Sequence, residues 1–181
     1  MREIRFHGRG GQGVVKSAQI IVQSVVEAGS YAHFIPSFGV ERKGSPVFGF
    51  YRQDDKDIKT KSQIYNPDVI VIYDDSLIGL PVTLDGLKTD GLLLINTEKS
   101  LEELELPQEV ASAKIYTVGA TNIALDTIKL DIPNTTMLGA YAKIVGGVDW
   151  EILKKHINKT FGQANVDAAE AGYESVKCIK A

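Results

Sequence analysis

A cluster of four glycines within six residues is the densest chemical signal in the sequence. The segment, called the glycine turn below, consists of Gly8, Arg9, Gly10, Gly11, Gln12 and Gly13. It follows residues 2–7, which we interpret as a short strand, and precedes a segment with helical periodicity, so the order is strand, tight turn and helix. The start of a helix carries unpaired N–H groups and partial positive charge, so the turn is a candidate site for an anion.

The spacing of the first, second and last glycines also matches the G-x-G-x-x-G fingerprint of dinucleotide-binding proteins. That kind of site needs an acidic residue at the end of the second strand, where it binds the ribose hydroxyls. The second predicted strand ends at Pro36, and the nearest acids, Glu27 and Glu41, are poorly placed. NAD binding is therefore disfavoured. An anion site, a structural turn and a surface for docking a partner subunit remain open.

Residues that could carry out catalysis are sparse, and we predict no catalytic residue and no metal site in this chain. The three histidines lie far apart without metal-ligand spacing. Asp74 and Asp75 follow a buried strand and would suit acid–base work or Mg²⁺, but a polar loop that caps the next turn is the simpler interpretation. Cys178 is the only cysteine, so the chain cannot supply the thiolates of an iron–sulfur cluster. Any such centre must lie on another chain.

The composition is that of one soluble globular domain, which we assign to residues 1–181. The chain is 44% hydrophobic and 24% charged, and residues 1–61 hold 10 Lys/Arg against 6 Asp/Glu. This basic half contains the glycine turn, which suits an anionic ligand or partner. No basic run interleaved with aromatics indicates nucleic acid. Without an apolar run long enough for a membrane or a signal-peptide core, we expect a cytoplasmic protein.

Apolar strands alternate with helical segments, which predicts a single three-layer α/β/α domain with a mostly parallel sheet and a helical C-terminal part. Strands are expected at 2–7, 31–35, 69–73, 92–96 and 114–118. Residues 47–52 and 57–64 are expected to form an inserted β-hairpin. Helices are expected at 14–28, 121–130, 134–145, after an Asp149 cap, and at 165–179.

Several motifs, in order, closely resemble the gamma subunit of 2-oxoacid:ferredoxin oxidoreductases. They are the glycine turn, residues 36–47 (PSFGVERKGSPV), residues 62–68 (SQIYNPD) and residues 134–142 (NTTMLGAYA). The resemblance covers residues 4–175 and is strongest to the pyruvate type, with a branched-chain 2-oxoacid enzyme as an alternative. Lys43 and Ser45 are mild departures, standing where the family pattern often has Arg and Ala.

This resemblance implies a role in oxidative decarboxylation, in which a 2-oxoacid and coenzyme A give an acyl-CoA, CO₂ and reduced ferredoxin. It also implies that thiamine diphosphate, Mg²⁺ and iron–sulfur clusters belong to partner subunits, that ferredoxin is the electron acceptor of the complex, and that this chain alone binds none of these cofactors. The role left to the chain is structural.

We hypothesise that the glycine turn and a neighbouring loop form a surface that docks the thiamine-binding and iron–sulfur subunits. The loop residues are Phe38, Gly39, Val40, Glu41, Arg42 and Lys43. The glycine turn and Arg42 would also contact coenzyme A, because Arg9, Arg42 and turn N–H groups can pair with its phosphates. The alternative is a stand-alone nucleotide-binding α/β protein or oxidoreductase that uses the G-x-G-x-x-G turn.

Overall fold

The computed structural model describes residues 1–37 and 44–181, and within them the chain forms one mixed sheet with helices packed on it. The strands are β1 (Arg2–Arg9), β2 (Tyr31–Ser37), β3 (Pro46–Asp54), β4 (Val69–Ile72), β5 (Leu92–Asn96), β6 (Lys114–Val118) and β7 (Lys177–Lys180). The helices are α1 (Val14–Glu27), α2 (Pro81–Leu84), α3 (Ala120–Thr127), α4 (Asn134–Ile144), α5 (Trp150–Phe161) and α6 (Gln163–Ser175).

The order of the strands in the sheet is β2-β3-β1-β4-β5-β6-β7. β1, β4, β5 and β6 are parallel, whereas β3 is antiparallel to both β1 and β2, and β7 is antiparallel to β6. Because β1 and β2 both run against β3, they point in the same direction. The predicted α/β fold is confirmed, but the antiparallel share of the sheet is larger than the sequence indicated.

The two faces of the sheet bury separate apolar cores because side chains alternate along each strand. On one face, Phe6 and Val71 pack with residues of α1, α4, α5 and α6. On the other face, Ile70 and Ile72 pack with Leu84 of α2 and with residues of the β5–β6 connection. β4 is therefore buried on both sides, as its continuously apolar sequence predicts.

Helices α4 and α6 approach each other closely through a reciprocal pair of glycines. A Cβ atom on Gly139 would overlap the carbonyl oxygen of Ala169 and would lie 2.7 Å from its carbonyl carbon. A Cβ atom on Gly172 would overlap the carbonyl oxygen of Thr136 in the same way. The obstructing atoms belong to the main chain, so the two helix backbones are nearly in contact.

The predicted hairpin between residues 47–52 and 57–64 is wrong, because residues 57–64 form no strand. β3 pairs with β1 along one edge and with β2 along the other, which leaves no edge for a third partner. The buried side chain of Arg52 instead donates hydrogen bonds to the carbonyl oxygens of Ser62 (2.8 Å) and Gln63 (3.3 Å). These contacts hold the segment near the sheet without pairing it.

The predicted last helix, 165–179, also needs correction, since α6 ends at Ser175 and β7 follows. Val176 has extended backbone angles (φ −63°, ψ 133°) and turns the chain towards the free edge of β6. Cys178, which the sequence placed in that helix, lies exposed in β7 opposite Tyr116. The strand was missed because Val176 continues the apolar spacing of α6.

Candidate functional site

The glycine turn lies at the point where the chain changes direction across the sheet. From β1 the chain passes through α1, on one face, towards β2; from β4 it passes through α2, on the other face, towards β5. The carboxyl ends of β1 and β4 are therefore neighbours whose following segments diverge. In open α/β sheets, ligands bind in the crevice at such a position.

The glycine turn is fixed by its own backbone and by its neighbours. The amide of Gly10 donates to the carbonyl of Ser45 (2.9 Å), and the amide of Gly44 donates to the carbonyl of Gly10 (3.1 Å). Gly13 is the N-cap of α1 with a left-handed backbone (φ 75°). A Cβ atom there would lie only 2.7 Å from Nδ2 of Asn134. Glycine is therefore required at this position for both conformation and space.

Side chains of the turn converge on one carboxylate from the end of β4. Oδ2 of Asp74 accepts hydrogen bonds from Nε of Arg9 (3.1 Å) and from Nε2 of Gln12 (3.0 Å). Arg9 also donates through Nη2 to Oγ of Ser76 (2.7 Å) and through Nη1 to the carbonyl of Gly44 (3.1 Å). We call these five residues the Arg9–Asp74 cluster. It joins the glycine turn, the end of β4 and the residues just before β3.

The amide side chain of Gln12 is held in one orientation by the turn itself. Its Oε1 atom accepts a hydrogen bond from the backbone N–H of Arg9 (2.7 Å), which directs Nε2 towards Asp74. Gln12 thus connects the main chain of the turn with the carboxylate. This contact explains why the turn contains polar side chains that a plain nucleotide-binding turn does not need.

The Asp74 carboxylate is ionised at neutral pH. Partial burial raises the pKa of Asp74, but hydrogen bonds from Ser76 and Gln12 and the charge of Arg9 outweigh it, so the pKa lies below its usual range. The side chains of Arg9 and Asp74 are 32% and 21% exposed, so the pair is partly shielded from water. The charge of Arg9 is therefore largely balanced within the chain.

A buried basic pair lies on the strand that leads to the turn. His7 stacks on Phe48 with ring centroids 5.9 Å apart, and its Nε2 atom has no hydrogen-bond partner among the described residues. Burial and the nearby charge of Arg5 lower the pKa of His7 to about 3, so the imidazole is neutral. Arg5 donates to the carbonyls of Thr83 (3.1 Å) and Asp85 (2.6 Å). These contacts anchor α2 beneath β1.

Asp75, the neighbour of Asp74, faces a different place. It accepts hydrogen bonds from Oγ1 of Thr97 (2.7 Å) and pairs with Lys99 (3.1 Å) at the edge of an open cleft of about 400 Å³. On the same cleft, Asn96 donates to the carbonyl of Tyr73 (2.9 Å). The two adjacent aspartates therefore do not act as a carboxylate pair.

The structure brings together part of the predicted site. All six residues of the glycine turn lie at the end of β1, and Gly44 and Ser45, which follow the predicted interface loop in sequence, are hydrogen-bonded to Gly10. Phe38, Gly39, Val40, Glu41, Arg42 and Lys43, predicted for the interface or for cofactor contact, lie outside the described residues. Asp74 caps the next turn by accepting from the amide of Ser76, as the simpler interpretation of the sequence predicted, but its contacts with Arg9 and Gln12 and the role of Ser76 were not predicted. The position of Asp74 and Ser76 directly after an apolar strand was the available signal.

No three His, Cys, Asp or Glu side chains in the described ranges are grouped so that they could hold a metal ion. In residues 1–37 and 44–181, the structure contains no helix with the length and apolarity that crossing a bilayer requires.

The fold is an α/β domain with the glycine turn at the point where the chain changes direction across the sheet. The polar side chains of this turn bind Asp74, which follows β4, and the described residues include no assembled catalytic group. The family model "Pyruvate ferredoxin/flavodoxin oxidoreductase" matches residues 3–175. The chain belongs to this family, and the resemblance noted in the sequence is confirmed.

Close relatives match almost the whole chain. The "Pyruvate/ketoisovalerate oxidoreductases common subunit gamma" of Pyrococcus abyssi is 45% identical, over 99% of this chain and 100% of the relative. The "Pyruvate synthase subunit PorC" of Methanothermobacter marburgensis is 43% identical, over 98% of both chains. The crystal structure of the pyruvate oxidoreductase subunit PORC from Thermotoga maritima superposes with a TM-score of 0.85 at 40% identity, over 98% of this chain and 97% of that one.

Proposed function

We propose that this chain is the gamma subunit of a multi-subunit 2-oxoacid:ferredoxin oxidoreductase. The complex would convert pyruvate or a related 2-oxoacid, with coenzyme A, into an acyl-CoA, CO₂ and reduced ferredoxin. The observation that carries the proposal is the similarity, over nearly the full length of both chains, to relatives named as gamma or PorC subunits. The stand-alone nucleotide-binding alternative is not favoured, because the relatives that match nearly the full length of this chain are named as subunits of oxidoreductases.

The redox and decarboxylation chemistry of the complex is assigned to partner subunits. Thiamine diphosphate would stabilise the carbanion that decarboxylation leaves, and iron–sulfur clusters would pass electrons to ferredoxin. This chain does not fit a cluster, because its one cysteine, Cys178, is an exposed residue of an edge strand. Its contribution is to assembly and to the surface that faces the partners.

The proposed docking surface consists of the glycine turn together with Phe38, Gly39, Val40, Glu41, Arg42 and Lys43. Its support is the pair of backbone hydrogen bonds that join Gly10 to Gly44 and Ser45. They hold Gly44 and Ser45, the residues that directly follow this loop in sequence, against the turn. We also propose that the phosphates of coenzyme A are contacted by Arg42 and by the glycine turn, in which Arg9 supplies the charge.

The choice of 2-oxoacid is assigned to other subunits of the complex. The Pyrococcus abyssi relative is named as a subunit common to pyruvate and ketoisovalerate oxidoreductases. A chain that serves two enzymes does not by itself select between their substrates. We extend this inference to the present chain, for which pyruvate and branched-chain 2-oxoacids both remain candidates.

Reconstitution tests the subunit role. The chain is expressed with its thiamine-binding and iron–sulfur partners, and CoA-dependent reduction of ferredoxin by pyruvate is measured with and without it. We expect the chain to co-purify in a stable complex and the activity to require it. Full activity without the chain would contradict the proposal. A thermal-shift screen tests the alternative, since strong stabilisation by NAD or FAD alone would favour it.

Two variants test the docking surface and the coenzyme A contact separately. Phe38→Ala should weaken assembly in size-exclusion chromatography, whereas Tyr65→Ala, at a side chain that is 70% exposed, is the matched control. Arg9→Ala should raise the apparent KM for coenzyme A, with Lys16→Ala, on the exposed side of α1, as its control. Normal assembly of the first variant, or an unchanged KM of the second in an intact complex, would refute the corresponding half.

A further inference from the structure

We propose that Asp74 sets the ligand preference of the glycine turn: its carboxylate is an internal anion that competes with phosphate esters for Arg9. The identity of the natural ligand, a phosphate of coenzyme A, rests on the proposed function. The competition itself rests only on the Arg9–Asp74 cluster.

The carboxylate accepts hydrogen bonds from the side-chain donors that the turn would offer to an external anion. Oδ2 of Asp74 lies between the side-chain donors that the turn offers, Nε of Arg9 at 3.1 Å and Nε2 of Gln12 at 3.0 Å. Its other oxygen accepts from the backbone N–H of Ser76 at 3.1 Å and from the Ser76 hydroxyl. Charge-assisted hydrogen bonds of this kind are the strong ones in proteins. Both oxygens of Asp74 are thus held by hydrogen bonds, and the carboxylate uses the side-chain donors of the turn.

The guanidinium of Arg9 is engaged along more than one edge. Nε contacts Asp74, Nη2 contacts Ser76 at 2.7 Å, and Nη1 contacts the carbonyl of Gly44 at 3.1 Å. Three of the five N–H donors of the group are used in this way. A phosphate that approaches Arg9 must either displace the carboxylate or bind beside it, and in the second case two negative charges share one cation.

The expected penalty follows from Coulomb's law. At a separation of roughly 6 Å and an effective dielectric constant of about 40, the repulsion between the carboxylate and one phosphate charge weakens binding about tenfold. Removing the charge of Asp74 while keeping its shape should therefore tighten phosphate binding by about that factor. A turn that binds phosphate without reference to Asp74 would show no such gain.

Asp74→Asn is the direct test, with inorganic pyrophosphate as the probe and the full chain as the protein. Isothermal titration at low ionic strength should give a Kd about tenfold lower than for the parent chain. Asp75→Asn is the matched control, because it removes the same charge one residue away, where the carboxylate faces Thr97 and Lys99. Its Kd should change less than twofold. Asp74→Glu should restore the parent value.

If Asp74 competes with phosphate for Arg9, the gain in affinity must depend on Arg9. A gain caused only by the change in net charge would not. In the Asp74→Asn/Arg9→Gln double variant, the gain in affinity should disappear. A gain that persists without Arg9, or no gain in Asp74→Asn even at high pyrophosphate concentration, would overturn the proposal. Should Asp74→Asn fold poorly by thermal melting, Asp74→Ser removes the same charge with a smaller side chain. A tightening of about tenfold is again expected, and its absence counts equally against the proposal.

The same variants in the reconstituted complex distinguish this inference from the proposed function. Asp74→Asn should lower the KM for coenzyme A and leave the KM for pyruvate unchanged, which a purely structural role would not produce. If Arg9→Gln leaves the coenzyme A KM unchanged while Asp74→Asn still tightens pyrophosphate on the chain, the coenzyme A contact is wrong and the competition stands. If pyrophosphate binding does not respond to Asp74, the competition is wrong whatever coenzyme A does.

Discussion

Replacement of Gly139 by alanine tests the close approach of α4 and α6. The added Cβ atom would lie 2.7 Å from the carbonyl carbon of Ala169 and 2.9 Å from the amide nitrogen of Tyr173, besides overlapping a carbonyl oxygen. Ordinary contacts of a Cβ atom begin near 3.4 Å. Because all three obstructing atoms belong to the main chain of α6, no side-chain rotation can relieve the clash, and the helices must move apart.

Two opposing terms set the size of the effect. Alanine in place of glycine favours the helix by about 1 kcal/mol. Overpacking of a well-packed core costs about 1–3 kcal/mol and sometimes more, and a clash with backbone belongs at the upper end or above it. We therefore expect Gly139→Ala to lower the free energy of unfolding by about 2–3 kcal/mol. For a chain of this size, that corresponds to a drop in Tm of roughly 5–10 °C.

Urea denaturation followed by circular dichroism measures this change. Gly79→Ala is the control, since a Cβ atom there meets nothing within 4 Å and the backbone is not left-handed. Its free energy of unfolding should stay within about 0.5 kcal/mol of the parent. If Gly139→Ala unfolds at the same urea concentration as the parent, the two helices can separate freely and the packing explanation fails.

Other predictions concern a buried cation, a buried histidine and a helix cap. Arg52→Met should lower the free energy of unfolding in urea by about 2–3 kcal/mol, because Glu3 and two backbone carbonyls lose their donor; Lys88→Met, at an exposed ion pair, should cost less than about 1 kcal/mol. His7 stays neutral in the folded state down to about pH 3, whereas the unfolded chain binds a proton below about pH 6.5. The free energy of unfolding should therefore decrease as the pH is lowered from about 6.5 to about 3, by up to about 1.4 kcal/mol per pH unit. His7→Gln should reduce that slope. Asp149→Ala removes the side chain that accepts from the amide of Ile152 at 2.9 Å and should cost about 1 kcal/mol in thermal melts.

Each of these has a clear contrary result. Equal losses for Arg52→Met and Lys88→Met would show that burial does not matter to the Arg52 contacts. An unchanged pH slope in His7→Gln would assign the acid sensitivity to other groups. A neutral Asp149→Ala would mean that the start of α5 is held by packing alone.

Local signals were sufficient where the element is decided by its own residues. α1 follows from apolar residues on one helical face and ends before Gly29, and α5 follows from its Asp149 cap. β4 and β5 follow from continuous apolar runs. The strand predicted at residues 57–64 failed because alternation is only a local property, whereas a strand also needs a free edge, and β1 and β2 occupy both edges of β3.

The part of the site that depends on local sequence was likewise predictable. The glycine turn can be recognised from its four glycines in six residues, and the motifs that follow it identify the family. The role of Asp74 depends on β4 lying next to β1, a pairing across more than sixty residues of sequence that no short pattern encodes. Asp74 and Asp75 likewise face different places because of the backbone turn after β4, and their adjacency in sequence does not predict this difference.

The antiparallel position of β3 between β1 and β2 has a consequence for how the molecule opens. β2 touches the rest of the sheet only through β3, so these two strands form a hairpin attached to a parallel unit of β1, β4, β5 and β6. Such a hairpin can exchange its amide hydrogens as one cooperative block without global unfolding. The contacts of Arg9 and Gly10 with Gly44 and Ser45 fasten the end of this block. A partner that binds at the turn would therefore slow exchange throughout β2 and β3, far along the strands from the point of contact.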